Sequence, residues 1–133
     1  MAKTTAVYYR APDGSEPVSD FIESLTIRRQ VAIDNQIDRL NDLDPAAPPL
    51  PFPHSSQVEG ELRELRCHYG SEQYRVLYRR SHNLFALLHA FRKTTAKVPR
   101  AEIERAQARW VDFRRRMDAP RRRRPRAAGH DAP

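Results

Sequence analysis

Two hydrophobic periodicities divide the chain. Val18, Phe21, Ile22 and Leu25 fall at i, i+3, i+4 and i+7, which is one buried stripe of a helix. Ser15 offers that helix an N-cap, and Glu16 and Pro17 suit its first turn. Thr26 can cap a second helix with Ile33, Ile37 and Leu40 on its inner face. Ahead of both, Ala6–Arg10 is rich in β-branched and aromatic residues and runs into the turn Pro12-Asp13-Gly14, so a short first strand is expected. Asp42–Pro53 contains five prolines, cannot continue a helix, and reads as a connection across the surface.

The period then shortens. Glu61–Tyr69, Gln73–Arg80 and Leu84–Lys93 read as three strands, with Gly70-Ser71-Glu72 and Ser81-His82-Asn83 as turns. Loops this short require antiparallel neighbours, because a parallel crossover needs a dozen or more residues. Pro99 opens a last helix whose apolar face is Ile103, Ala106, Trp110, Phe113 and Met117, and Pro120 ends it. The expected order is strand, two helices, three antiparallel strands, helix: an α+β domain over residues 1–117 with helices packed on a small sheet. Residues 118–133 form an Arg/Pro-rich tail without apolar periodicity, expected to be disordered.

Length and composition narrow the class. A chain of 133 residues suits one domain with a modest core. No apolar run approaches the ~18 residues of a membrane span, and Met1–Arg10 lacks the parts of a secretion signal. The lone Cys67 excludes an internal disulfide and a paired-cysteine zinc site. A cytoplasmic protein with no membrane partner is expected.

The net charge of +7 is unevenly spread. Residues 1–58 carry 5 basic and 8 acidic side chains, residues 59–113 carry 11 and 7, and residues 114–133 carry 8 and 2. Strand alternation turns this into a surface. Leu65, Cys67 and Tyr69 point one way and Glu64, Arg66 and His68 the other; Tyr74, Val76 and Tyr78 separate in the same manner from Arg75, Leu77 and Arg79. If the apolar sets meet the helices, Arg66, His68, Arg75 and Arg79 share the opposite face. Arg92, Lys93, Lys97 and Arg100 continue the positive charge beyond it. Such a lining attracts a phosphate backbone, although arginines placed for solubility alone fit the pattern equally well. His68 by itself also fits a structural role, and His89 in the most apolar strand fits the core better than catalysis.

Other chemistries find no support. There is no Gly-rich phosphate loop and no Gly-x-Ser-x-Gly elbow, and His54, His68, His82 and His89 show no metal-ligand spacing with acids. Acids avoid the basic strands, so a paired-carboxylate hydrolase is not indicated. Neither a metal nor a cofactor is expected.

Several segments resemble a known family. Leu62-Arg63-Glu64-Leu65-Arg66 resembles the L-x-E-L-R strand of the RelE/ParE toxin superfamily, and Gln73-Tyr74-Arg75-Val76-Leu77-Tyr78 resembles its following strand. Leu87-Leu88-His89-Ala90-Phe91-Arg92-Lys93-Thr94-Thr95-Ala96-Lys97-Val98-Pro99 resembles the L-L-H-x-F-x-K-K-T-x-K-x-P segment of the phage-derived, HigB-like branch. Glu102-Ile103-Glu104-Arg105-Ala106 is similar to that branch's final helix. The resemblance covers about residues 5–116.

It implies a RelE-like fold and a type II toxin: an mRNA interferase, often ribosome-associated, that inhibits translation and is neutralised by a helix-turn-helix antitoxin. The implied reaction is attack by a ribose 2′-hydroxyl on the adjacent phosphate, leaving a 2′,3′-cyclic phosphate and a 5′-hydroxyl, with no metal. Arg66, His68, Arg75 and Lys93 are the candidate catalytic residues; Arg63, Arg79, Arg92, Lys97 and Arg100 are the candidate RNA contacts. Arginine stays charged at any accessible pH and can only clamp, whereas an imidazole titrates near neutrality, so His68 is the candidate for proton transfer. Well-studied RelE enzymes have a tyrosine in the last helix, where this chain has Glu102-Ile103-Glu104. A ParE-like, non-catalytic gyrase inhibitor and a nucleic-acid-binding regulator acting through the arginine tail are the alternatives.

Overall fold

The computed structural model describes residues 4–119 and 126–129. Its elements run β1 (Thr5–Tyr8), α1 (Pro17–Glu23), α2 (Ile27–Asn41), β2 (Ser55–Glu59), β3 (Leu62–Tyr69), β4 (Glu72–Ser81), β5 (Leu84–Lys93) and α3 (Arg100–Asp118). The five strands form one sheet in the order β1-β5-β4-β3-β2. The four later strands are antiparallel to their neighbours, and β1 joins β5 in parallel, so the sheet is mixed.

The α+β class, the three long strands and the last helix agree with the sequence reading. The element order does not, because β2 was missing from it. Ser55-Ser56-Gln57-Val58-Glu59 holds one apolar residue and has no alternation to read. It forms because an edge strand needs one neighbour only: it pairs with β3, and the Ser55 hydroxyl and the Tyr78 phenol lie 2.6 Å apart.

Helices cover both faces of the sheet. The stripes of α1 and α2 pack with Leu65, Cys67, Tyr74, Val76, Tyr78, Phe85 and Leu87. On the other face, Ile103, Ala106 and Phe113 of α3 pack with Leu62, Leu77, Ala86 and Leu88, and Trp110 and Met117 flank them. This explains the near-continuous apolar run of β5. A central strand buried on both sides has no solvent face to mark with polar residues.

The tail is not uniformly free of structure. Tyr9 bridges to Ala128, the Arg10 amide donates to the Ala127 carbonyl at 2.6 Å, and Ala127 and Ala128 are buried. The expectation of disorder is therefore corrected for residues 126–129. Two small side chains lying on the outer edge of β1 carry no helical or strand periodicity that a pattern search could find. The remainder of the expected tail, 120–125 and 130–133, lies outside the described residues.

Candidate functional site

Strand register builds the site. On the face shared with α3, β3, β4 and β5 align in three rows: Glu64–Leu77–His89, Arg66–Arg75–Phe91 and His68–Gln73–Lys93. Neighbours across strands are ~5 Å apart and rows ~7 Å apart, so the nine positions span a patch on the order of 10 by 13 Å. The start of α3 closes the first row, where Leu77 joins the core and His89 bonds to Glu102. The second and third rows lie beyond it. His68 is exposed there, and Arg66 and Lys93 are partly so.

A carboxylate sits among the cations. Glu64 is 4% exposed; Arg66 Nη1 donates to its Oε1 at 2.9 Å, and Arg75 Nε lies 3.4 Å from the same atom. The expectation that acids avoid the basic strands is thus corrected. One acid at the centre makes it possible to hold two guanidiniums on directly opposed positions, which would otherwise repel across the strand pair. Arg75 is also less open than the sequence suggested, at 2% exposed, with Nη1 donating to the Tyr74 carbonyl at 2.9 Å. It occupies the middle strand and the middle row, where neighbours surround it on every side. Burial lowers its pKa, with Glu64 partly opposing the shift, and burial followed by the Arg75 charge lowers that of Lys93. Arginine begins so far above neutrality that Arg75 stays charged.

The candidate RNA contacts do not assemble as one surface. Arg63 points to the α1/α2 side, donating to the Leu50 carbonyl at 3.0 Å, and lines a pocket of about 320 Å³ with Leu43, Pro49, Tyr78 and Arg80. Arg92, opposite Tyr74, falls on that same side. Both are corrected as contributors to the site, since each stands an odd number of positions along its strand from the residues of the grid, and successive side chains point to opposite faces. Arg79 is on the expected face but lies 4.5 Å over the Trp110 ring and bonds Glu61 at 2.6 Å. Arg100 pairs with Glu59 at 3.1 Å, and Lys97 is exposed between β5 and α3. The cations brought together are Arg66, Arg75 and Lys93.

Sequence reasoning missed a second polar constellation beside them. Arg109, which has donors only, donates to His89 Nδ1 at 2.9 Å and to the Leu88 carbonyl at 3.0 Å. His89 Nδ1 therefore carries no proton, and Nε2–H donates to Glu102. The ring is a neutral imidazole, and its pKa is lowered by burial, partly offset by Glu102. This network pins α3 to β5 through Glu102 and Arg109. Among the described residues, no group of three or more His, Cys, Asp or Glu side chains is arranged to hold a metal.

Residues 20–111 match the phage-derived Gp49-like proteins, a stretch that runs from α1 through the whole grid to the middle of α3. The chain belongs to the Gp49-like family. That family is of the RelE toxin type, which agrees with the α+β fold of five strands and three helices. A search of curated proteins returns no match. The Gp49-like match includes every residue of the three rows and stops short of the tail. No helix among the described residues is long and apolar enough to cross a membrane.

Proposed function

We propose that this Gp49-like protein is a toxin of the HigB-like branch, an mRNA endonuclease acting on ribosome-bound message and held inactive by a helix-turn-helix antitoxin. The observation that carries the reading is the convergence of Arg66, Arg75 and Lys93 on the end of the sheet face beyond α3. In 2′-hydroxyl attack on phosphorus, negative charge grows on the non-bridging oxygens. Cations already fixed in place bind that transition state better than the substrate and need no reorganisation. Arg66 and Lys93, partly exposed, contact the phosphate. Arg75 supplies a buried charge behind them, and Glu64 holds both guanidiniums in register. His68, exposed in the third row, exchanges protons with the 2′-hydroxyl or the leaving 5′-oxygen.

The test is cleavage of ribosome-bound message in EDTA by purified protein, with the new ends mapped. Arg66→Ala and Lys93→Ala, at partly exposed positions, are expected to lower the rate by roughly 10²–10³-fold each while antitoxin binding persists. Arg75→Ala should abolish cleavage. Intact message in the presence of folded wild-type protein would overturn the proposal. The burial of Arg75, together with Glu102 in place of a tyrosine, favours one second reading, a ParE-like inhibitor of gyrase. That reading requires DNA-damage signalling on expression while message stays whole.

A further inference from the structure

Among the described residues, four large apolar side chains are strongly exposed: Ile27, Val31, Phe52 and Val111. Three lie on the outer faces of α2 and α3. Phe52 is different, because it lies against the cation cluster. It is 69% exposed, and the Arg66 guanidinium carbon stands 4.9 Å from its ring centroid. The chain around it is tightly held. The His54 and Ser55 amides donate to the Pro51 carbonyl at 3.0 and 3.2 Å, and the Arg66 amide donates to the His54 carbonyl at 2.8 Å. Pro51 and Pro53 flank the ring and restrict the backbone further. An aromatic ring is thus presented to solvent from a stiff turn fastened to the strand that carries Arg66.

We propose that Phe52 is a stacking platform for one base of single-stranded RNA, the base whose own phosphate reaches Arg66. The inference rests on the nuclease reading and adds to it a substrate class and a subsite. Its chemistry is twofold. A base offers a flat π-face that stacks on any aromatic side chain, and it is available only where the strand is unpaired. One ribose joins base to phosphate, so seating the base on Phe52 delivers the phosphate to the neighbouring guanidinium. Arg66 already lies over the ring, and its other side is held by Glu64, so the platform and the clamp move as one piece. Stacking tolerates every base, so the subsite selects unpaired strand rather than a sequence.

The experiment uses the full chain and a short single-stranded RNA with 2′-O-methyl riboses, which blocks cleavage, carrying fluorescent 2-aminopurine at each position in turn. The RNA is offered free and within a ribosome-bound message. Wild-type protein should quench the probe at one position. Phe52→Ala and Phe52→Leu should abolish that quench and weaken binding about 5- to 150-fold, the range for one base on an aromatic ring. Phe52→Trp should restore both. With cleavable RNA, Phe52→Leu should raise KM far more than it lowers kcat. Retained quench and unchanged affinity in Phe52→Leu, with wild type still cleaving, would overturn the stacking site alone. Wild-type protein that binds RNA in neither form would overturn the nuclease reading and this inference with it.

Discussion

Replacing Glu64 by glutamine tests the electrostatic design of the site. Glutamine keeps the shape of the side chain and removes the charge that faces two guanidiniums. Glu64 is 4% exposed; Arg66 donates to it at 2.9 Å, and Arg75 stands 3.4 Å away. Removing one partner of a fully buried ion pair costs about 3–5 kcal/mol. Arg75 meets that description, but the Arg66 side chain retains 28% exposure and can rehydrate. The expected loss is therefore roughly 2–4 kcal/mol, or on the order of 6–20 °C in melting temperature for a domain of this size. Urea titration is the assay, with the m-value unchanged if the native and denatured states keep their compactness. The loss should persist in ~1 M salt, since buried charges are weakly screened. Adding Arg75→Met to Glu64→Gln removes the orphaned charge, so the double variant's loss should fall short of the sum of the two single losses by about 1–3 kcal/mol. A Glu64→Gln loss below ~0.5 kcal/mol, or additivity within that margin, would refute the argument that Glu64 holds the cluster together.

Three further outcomes follow from other parts of the fold. Burial keeps His89 neutral, with its pKa below the ordinary value, so the unfolded chain binds the extra proton and stability falls as pH drops from ~6.5 through the folded value. Urea melts at pH ~7.5 and ~5.5 should show this fall in wild type and a smaller one in His89→Asn; equal slopes would remove His89 as the cause. The Cys67 thiol, buried and pushed up to about 12, should resist iodoacetamide in native protein and react at once in denaturant. Deleting residues 121–133 removes the Ala128 bridge and the burial of Ala127 and Ala128, and should cost roughly 1–3 kcal/mol by denaturation. Message cleavage should survive that deletion. Loss of RNA binding would instead assign recognition to the arginine tail.

The alternating and helical patterns determined most of the architecture by themselves. Leu84–Lys93 was readable to the residue, and the stripe from Ile103 to Met117 lies inward along α3. The pairing of faces was readable too, because a period of two forces Arg66 and Arg75 to one side once Leu65 and Val76 are buried on the other. The pattern could not reveal β2, whose polar residues gain order only by lying beside β3. The same alternation also divides Arg63 from Arg66, three positions apart: one donates to Leu50 on the α1/α2 side and the other meets Glu64 on the α3 side. Tertiary structure alone decided that Arg75 is buried, that Glu64 sits between two cations, that Glu102 answers His89, and that Phe52 lies over Arg66. The reason is common to all four. Local propensity and periodicity are properties of neighbours along the chain, whereas burial and charge pairing depend on residues that only strand register and helix docking bring within a few ångströms.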